Sequence, residues 1–79
     1  MHYTYIINSL STPNRFYIGS TSDLKRRLFE HNSGKSIHTN KFTPWKIKNY
    51  IAFEDKEKAE NFEKFLKSGN GRVFAKKHF

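Results

Sequence analysis

Seventy-nine residues make room for one domain, residues 1–79, and a chain of this size buries only about 60–65% of its unfolded surface, so its core is small. The absence of cysteine excludes a disulfide scaffold and a thiolate zinc site and fits a reducing compartment, the cytoplasm. No apolar run approaches transmembrane length and no basic segment followed by an apolar stretch opens the chain. A soluble, complete protein without a signal peptide or membrane association is therefore expected.

Fifteen Lys and Arg against seven Asp and Glu give a net charge of +8, a field that attracts polyanions and weakens with salt. Nucleic acid is the expected partner; the plainer alternative is that the lysines keep a small aromatic-rich domain soluble. Charge names a partner and no chemistry.

In chain order, "YTYII" (Tyr3 to Ile7) and "RFYIG" (Arg15 to Gly19) are rich in aromatic and β-branched residues, and the polar "NSLSTPN" between them contains Pro13. They read as an antiparallel hairpin. Ser22 or Asp23 can cap a short helix that runs to about His31, where Asn32 and Gly34 supply stop signals. "KSIHTNKFTP" reads as a loop, and "WKIKNYIAF" (Trp45 to Phe53) as a third strand. Asp55 opens a second helix through about Lys67, ended by "SGNG". The last stretch, "RVFAKKHF", fits a final helical turn or an edge segment equally well.

Side-chain directions turn this outline into a candidate site. At helical spacing Leu24 and Leu28 lie about 40° apart and define the core-facing side, with His31 within about 20° and Arg27 within about 60° of Leu24; Arg26 points the opposite way. Unpaired charges are not buried cheaply, so a short helix with a histidine and an arginine on its apolar side can line a polar cleft. Alternatively, Arg27 lies over the core with its guanidinium in water and a backbone carbonyl satisfies His31. In the second helix Ala59, Phe62, Phe65 and Leu66 form the apolar stripe. Glu63 sits at its margin, about 40° from Ala59, either aimed at a site or paired with Lys67 on a solvated face. Pairing Tyr5 with Tyr17 in the hairpin would put both rings on one sheet face, where cross-strand aromatic packing is their plainest role.

At these residues the chain resembles the GIY-YIG endonuclease family over nearly all of its length, as a small single-domain member. "YTY" (Tyr3, Thr4, Tyr5) stands at the first motif, "YIG" (Tyr17, Ile18, Gly19) matches the second, and "DLKRRLFEH" matches the helix carrying Arg27 and His31. "HT" (His38, Thr39), "PW" (Pro44, Trp45) and the Glu63 helix before "FLKSGNGR" and "FAKKHF" are similar to small members of the family. "YIG" alone is weak evidence; its spacing to Arg27, His31 and a downstream helix glutamate is specific. The family also includes the N-terminal nuclease domain of the bacterial excision-repair enzyme and catalytic domains of some phage homing endonucleases.

The resemblance implies an α+β fold, a three-stranded antiparallel sheet flanked by helices, and a metal-dependent endonuclease or nickase acting on DNA, with a role in DNA repair or recombination. Carried over by position, Tyr17 resembles the tyrosine that activates the attacking water and Tyr5 its partner. Arg27 resembles the phosphate-binding arginine, His31 a proton acceptor or orienting group, and Glu63 the ligand of Mg²⁺, with Mn²⁺ as a substitute and no small-molecule cofactor. Arg26, Lys35, His38 and Lys41 are expected to contact nucleic acid. The family's pattern departs in two places: Tyr3 and Thr4 replace a glycine and an isoleucine, and Ser20 stands where several members have a lysine, removing a possible phosphate contact.

The chemistry fits the residue types. Phosphodiester hydrolysis needs a deprotonated nucleophile, neutralised charge on phosphorus and a stabilised leaving oxygen. Mg²⁺ keeps several waters and binds one or two carboxylates plus substrate phosphate, so one glutamate is sufficient protein ligation. An arginine fork matches phosphate oxygens as lysine cannot. A phenol is a poor base until nearby positive charge or hydrogen bonding lowers its pKa. Two further classes compete: a nucleic-acid-binding module of the same fold that has lost catalysis, and a small interaction protein whose charge serves solubility. The spacing of Arg27, His31 and Glu63 speaks against the last.

Overall fold

A computed structural model describes residues 1–79. Three strands, β1 (His2–Ser9), β2 (Phe16–Thr21) and β3 (Trp45–Phe53), form one antiparallel sheet in the order β2-β1-β3. Three helices, α1 (Leu24–Asn32), α2 (Lys56–Lys67) and α3 (Gly69–His78), cover it. The expected α+β architecture is the one observed.

β1 is the central strand, and both of its faces are covered. Its residues Thr4, Tyr5, Ile6 and Ile7 are buried in succession, which is why this stretch reads as a continuous apolar run rather than an alternating one. On one face Tyr5, Ile7 and Trp45 pack with Leu24 and Leu28 of α1. On the other, Ile6 and Ile18 pack with Leu66 and Phe62 of α2 and with Phe74 and Phe79 at the C-terminal end. Thr4, one of the two departures in the first motif, donates a 2.6 Å hydrogen bond from its hydroxyl to the Ala59 carbonyl and ties α2 to the sheet.

Three sequence expectations need correction. The hairpin register is displaced by two residues: Tyr5 pairs with Gly19 and Tyr17 with Ile7. A two-residue displacement preserves the face of every side chain, so the tyrosines still share one side. "SGNG" ends α2 but also starts α3, because Ser68 caps the new helix by accepting from the Gly71 N–H through its hydroxyl. The tail takes the helical alternative, as part of a ten-residue helix, and is not an edge segment. Phe65 lies at the border of the α2 stripe, 39% exposed, stacked on Phe62 and edge-to-face with Phe74.

The segment read as a loop between α1 and β3 contains a 3₁₀ turn at Asn40–Phe42. Asn32 anchors its two ends. The Asn32 amide accepts from the Trp45 N–H and donates to the Trp45 carbonyl at 3.1 Å, imitating a neighbouring strand's backbone. β3 also carries a bulge: Ile6 faces Asn49 and Ile7 faces Ile47, leaving Lys48 as the extra residue.

Candidate active site

α1 starts where the Asp23 side chain accepts from the Arg26 N–H and lies across the sheet face that carries Tyr5 and Tyr17. His31 falls in its last turn, on the Leu24 side, and is completely buried. Its Nε2 lies 2.9 Å from the Tyr5 hydroxyl and its Nδ1 2.8 Å from the Thr39 hydroxyl. Thr39 is fixed in turn by the Trp45 indole, which donates to its carbonyl at 2.8 Å. A backbone carbonyl is therefore not what satisfies this histidine. Thr39 and Trp45, absent from the set predicted for the site, hold its far end; the "HT" and "PW" pairs are the sequence features that mark them.

Burial pushes the His31 pKa down to about 4, and the Arg27 charge lowers it further against a weaker opposing pull from Glu30. The ring is neutral near pH 7, with one donor and one acceptor nitrogen. Tyr5–His31–Thr39 is thus a continuous hydrogen-bonded chain in either tautomer: Tyr5 donates and Thr39 accepts, or the reverse. Burial likewise raises the Tyr5 pKa to about 12; Arg27 beside it opposes the rise, and Tyr17 and Glu63 add to it. The Tyr5 phenol stays protonated and acts as a fixed dipole.

The tyrosine rings and the imidazole form one aromatic group, with centroids 6.5 Å apart for Tyr5–Tyr17, 5.9 Å for Tyr5–His31 and 5.1 Å for Tyr17–His31. Tyr5 is 3% exposed whereas Tyr17 is only half-buried, so Tyr17 is the phenol open to a substrate. Gly19 has a physical reason at this place. A Cβ there would stand 2.6 Å from the Tyr5 hydroxyl oxygen and 2.8 Å from its Cζ, and only glycine lets Tyr5 cross β2 to His31.

Arg27 shares a small apolar gap with Tyr5, Leu24 and Leu28, while its guanidinium, on a side chain 32% exposed, meets Glu30 at 3.1 Å. Burial works against its charge, but Tyr5 and Glu30 outweigh that and raise its pKa above the usual arginine value. Glu30, unremarked in the sequence, orients the fork. Glu63 is 21% exposed and pairs with Lys67 at 2.8 Å, so the i,i+4 pair forms. The Lys67 ammonium is also 5.8 Å from the Tyr17 ring centroid, which brings this edge of α2 to the tyrosines.

The fold therefore gathers Tyr5, Tyr17, Arg27 and His31, with Glu63 at their border. Arg26, Lys35, His38 and Lys41 are not part of that group. All four are exposed, and none takes part in the ion pairs Arg27–Glu30, Lys58–Asp55 and Lys67–Glu63. No three His, Asp or Glu side chains converge as a ready metal cage, and no helix is long and apolar enough to cross a membrane.

Comparison with known proteins agrees with this geometry. The model of the GIY-YIG catalytic domain matches residues 1–77. The structure-specific endonuclease subunit SLX1 of Kluyveromyces lactis is 40% identical over 67 residues, covering 76% of this chain; the chain spans only 23% of that protein's length. A UPF0213 protein of Halobacterium salinarum is 32% identical over 68 residues, covering 85% of this chain and 86% of its own. One from Streptococcus pneumoniae is 43% identical over 53 residues, covering 66% and 54%. With the match running through residues 1–77, the chain belongs to the GIY-YIG family of nuclease catalytic domains.

Proposed function

We propose that this protein is a divalent-metal-dependent DNA endonuclease or nickase that hydrolyses phosphodiester bonds at the Tyr17–Arg27–Glu63 side of the sheet, in a repair or recombination role. The single observation that carries the reading is the Tyr5–His31–Thr39 chain, buried beneath a half-open tyrosine and an accessible arginine. Such a buried polar chain is costly unless every member is satisfied, and a solubility role gives it nothing to do.

Arg27 presents its donor fork to the phosphate, exchanging part of its Glu30 pairing for bidentate contact with two phosphate oxygens. Tyr17 gives up its own proton to solvent and then, as phenolate, takes the proton of the attacking water. Tyr5, pinned between His31 and Gly19, is a positioning residue: its protonated hydroxyl fixes where the Tyr17 ring and the water sit. The donor set fits a hydrated hard cation, because a carboxylate outside any cluster of three acid or imidazole side chains suits Mg²⁺ or Mn²⁺, which retain waters and take substrate oxygens. Glu63 would hold that ion, which when bound supplies charge neutralisation at phosphorus and stabilises the leaving oxygen.

The SLX1 relative, named as a structure-specific endonuclease subunit, supports the reaction class. The net charge of +8 supports a polyanionic substrate. Supercoiled plasmid incubated with the protein should convert to the relaxed form in Mg²⁺ and remain supercoiled in chelator. Plasmid binding without conversion in either would instead support the binding-only module.

A further inference from the structure

The sheet face opposite the catalytic tyrosines holds a cavity of about 580 Å³ between the hairpin, β2, the end of α2 and α3. This lies within the roughly 300–1,000 Å³ of small-ligand clefts. Its floor is apolar, made by Ile6, Ile18 and Leu66, with Phe16 and Phe79 as aromatic walls. Phe16 is 59% exposed although its strand neighbours Ile18 and Gly19 are buried. Lys48, Arg72 and Lys76 reach the same cavity and no acidic side chain lines it.

The cavity is also connected to the catalytic side. A smaller one of about 210 Å³ shares Phe16, Ile18, Leu66 and Arg72 with it and adds Tyr17 and Lys67. Since β2 is an edge strand, the two together make a path around that edge, with Lys67 and Arg72 spaced along it. An exposed aromatic face and cations along a path match the chemistry of a single strand: base stacking and phosphate contact.

We propose that this cavity is a subsite for one unpaired nucleotide of DNA, its base against Phe16 and its flanking phosphates on Arg72, Lys76 and Lys67. The inference rests on the nuclease reading for why a strand leaves the Tyr17 side, but not for the binding itself. The subsite selects DNA with a single-stranded segment beside the cut.

The test is a titration of ¹⁵N-labelled protein with d(A)₆ and d(T)₆ in chelator, followed by amide shifts. The expected result is that both move the amides of Phe16, Ile18 and Ala75. Ala75→Leu, which fills the cavity from a helix and suits helical backbone, should weaken both at least five-fold while leaving blunt duplex affinity unchanged. Should Ala75→Leu fold poorly, Arg72→Gln with Lys76→Gln should weaken d(A)₆ more than it weakens a blunt duplex.

Shifts confined to α1 and Tyr17, or equal affinity in the wild type and Ala75→Leu, would overturn the proposal. So would decanoate moving these amides while d(A)₆ does not, which would make the cavity a site for an amphipathic acid. Plasmid nicking that persists while d(A)₆ leaves the cavity amides unmoved defeats this proposal alone. Cavity shifts in a protein that never nicks plasmid defeat the nuclease reading and leave the subsite standing.

Discussion

The Tyr5 hydroxyl meets His31 Nε2 at 2.9 Å, joining the central strand to the last turn of α1 across 26 positions of sequence. Both groups are buried, and each is shifted by burial toward its neutral form, His31 to about 4 and Tyr5 to about 12. The pair is at once a structural tie and the inner half of the candidate site. Its two roles are separable by experiment.

Stability should depend on pH through His31. Its pKa is lower in the folded chain than the unfolded value of about 6.5, so between pH 6.5 and 4 the unfolded state binds the extra proton. The stabilisation is whole above about pH 6.5 and lost as pH falls through about 4, amounting to about 3 kcal/mol. Denaturant melts across this range should show that fall, and His31→Gln, less stable at pH 7, should show a flatter profile. A wild-type profile flat between pH 7 and 4 would contradict a neutral, buried His31.

Gly19→Ala places a methyl group 2.6 Å from the Tyr5 hydroxyl oxygen and must displace Tyr5 from His31. The expected cost is about 1–3 kcal/mol for the hydrogen bond and the buried nitrogen it leaves, with loss of nicking. Gly69→Ala is the matched control, since nothing lies within 4 Å of its added Cβ; it should be neutral or stabilising by up to about 1 kcal/mol. Equal melts for the two variants would remove the close-approach explanation of Gly19.

Tyr17→Phe and Tyr5→Phe should differ in kind. Tyr17 is half-buried and its hydroxyl has no side-chain partner within the chain, so the phenylalanine variant should fold and bind DNA as before while nicking falls about 10²–10⁴-fold. Tyr5→Phe strands a buried imidazole nitrogen and should cost about 1–3 kcal/mol in stability as well. Were Tyr17→Phe to nick at the wild-type rate, the proton acceptor would be His31 instead.

Much of this site is legible in the sequence because it rests on local periodicity. Arg27 and His31 share the Leu24 side at helical spacing, Glu63 falls beside Ala59, and the odd-numbered parity of Tyr5 and Tyr17 survives the two-residue register displacement. What spacing cannot reveal is contact across irregular backbone. Thr39 meets His31 only because the 33–44 segment folds back with Asn32 and Trp45 clamped. Local glycine chemistry also misleads at "SGNG". Gly71 closes against the end of α2, where a Cβ would stand 1.7 Å from the Phe65 carbonyl oxygen, so its small size serves packing between α2 and α3 rather than helix termination.

DNA affinity should be weak and little dependent on sequence, on the order of 10⁻⁴–10⁻⁶ M, falling linearly with salt on logarithmic axes. Lys35→Gln and Lys41→Gln, both exposed and outside any ion pair, should each reduce the slope by about 1 if they contact phosphate. Fluorescence anisotropy with a short duplex at several salt concentrations measures this. An unchanged slope in both would place the phosphate contacts elsewhere on the surface.

The central claim is that a nuclease centre lies where Glu63 borders the tyrosines, and plasmid nicking by Glu63→Gln in Mg²⁺ tests it most directly. Glu63→Gln keeps shape and packing but removes the charge, at a cost in stability of about ±0.5 kcal/mol, and Glu60→Gln on the exposed face is the control. The account predicts that nicking collapses in Glu63→Gln alone, while DNA binding without metal persists or strengthens because a negative charge beside phosphate is gone. Wild-type nicking rates in both variants would make Glu63 an ordinary partner of Lys67 and contradict the mechanism.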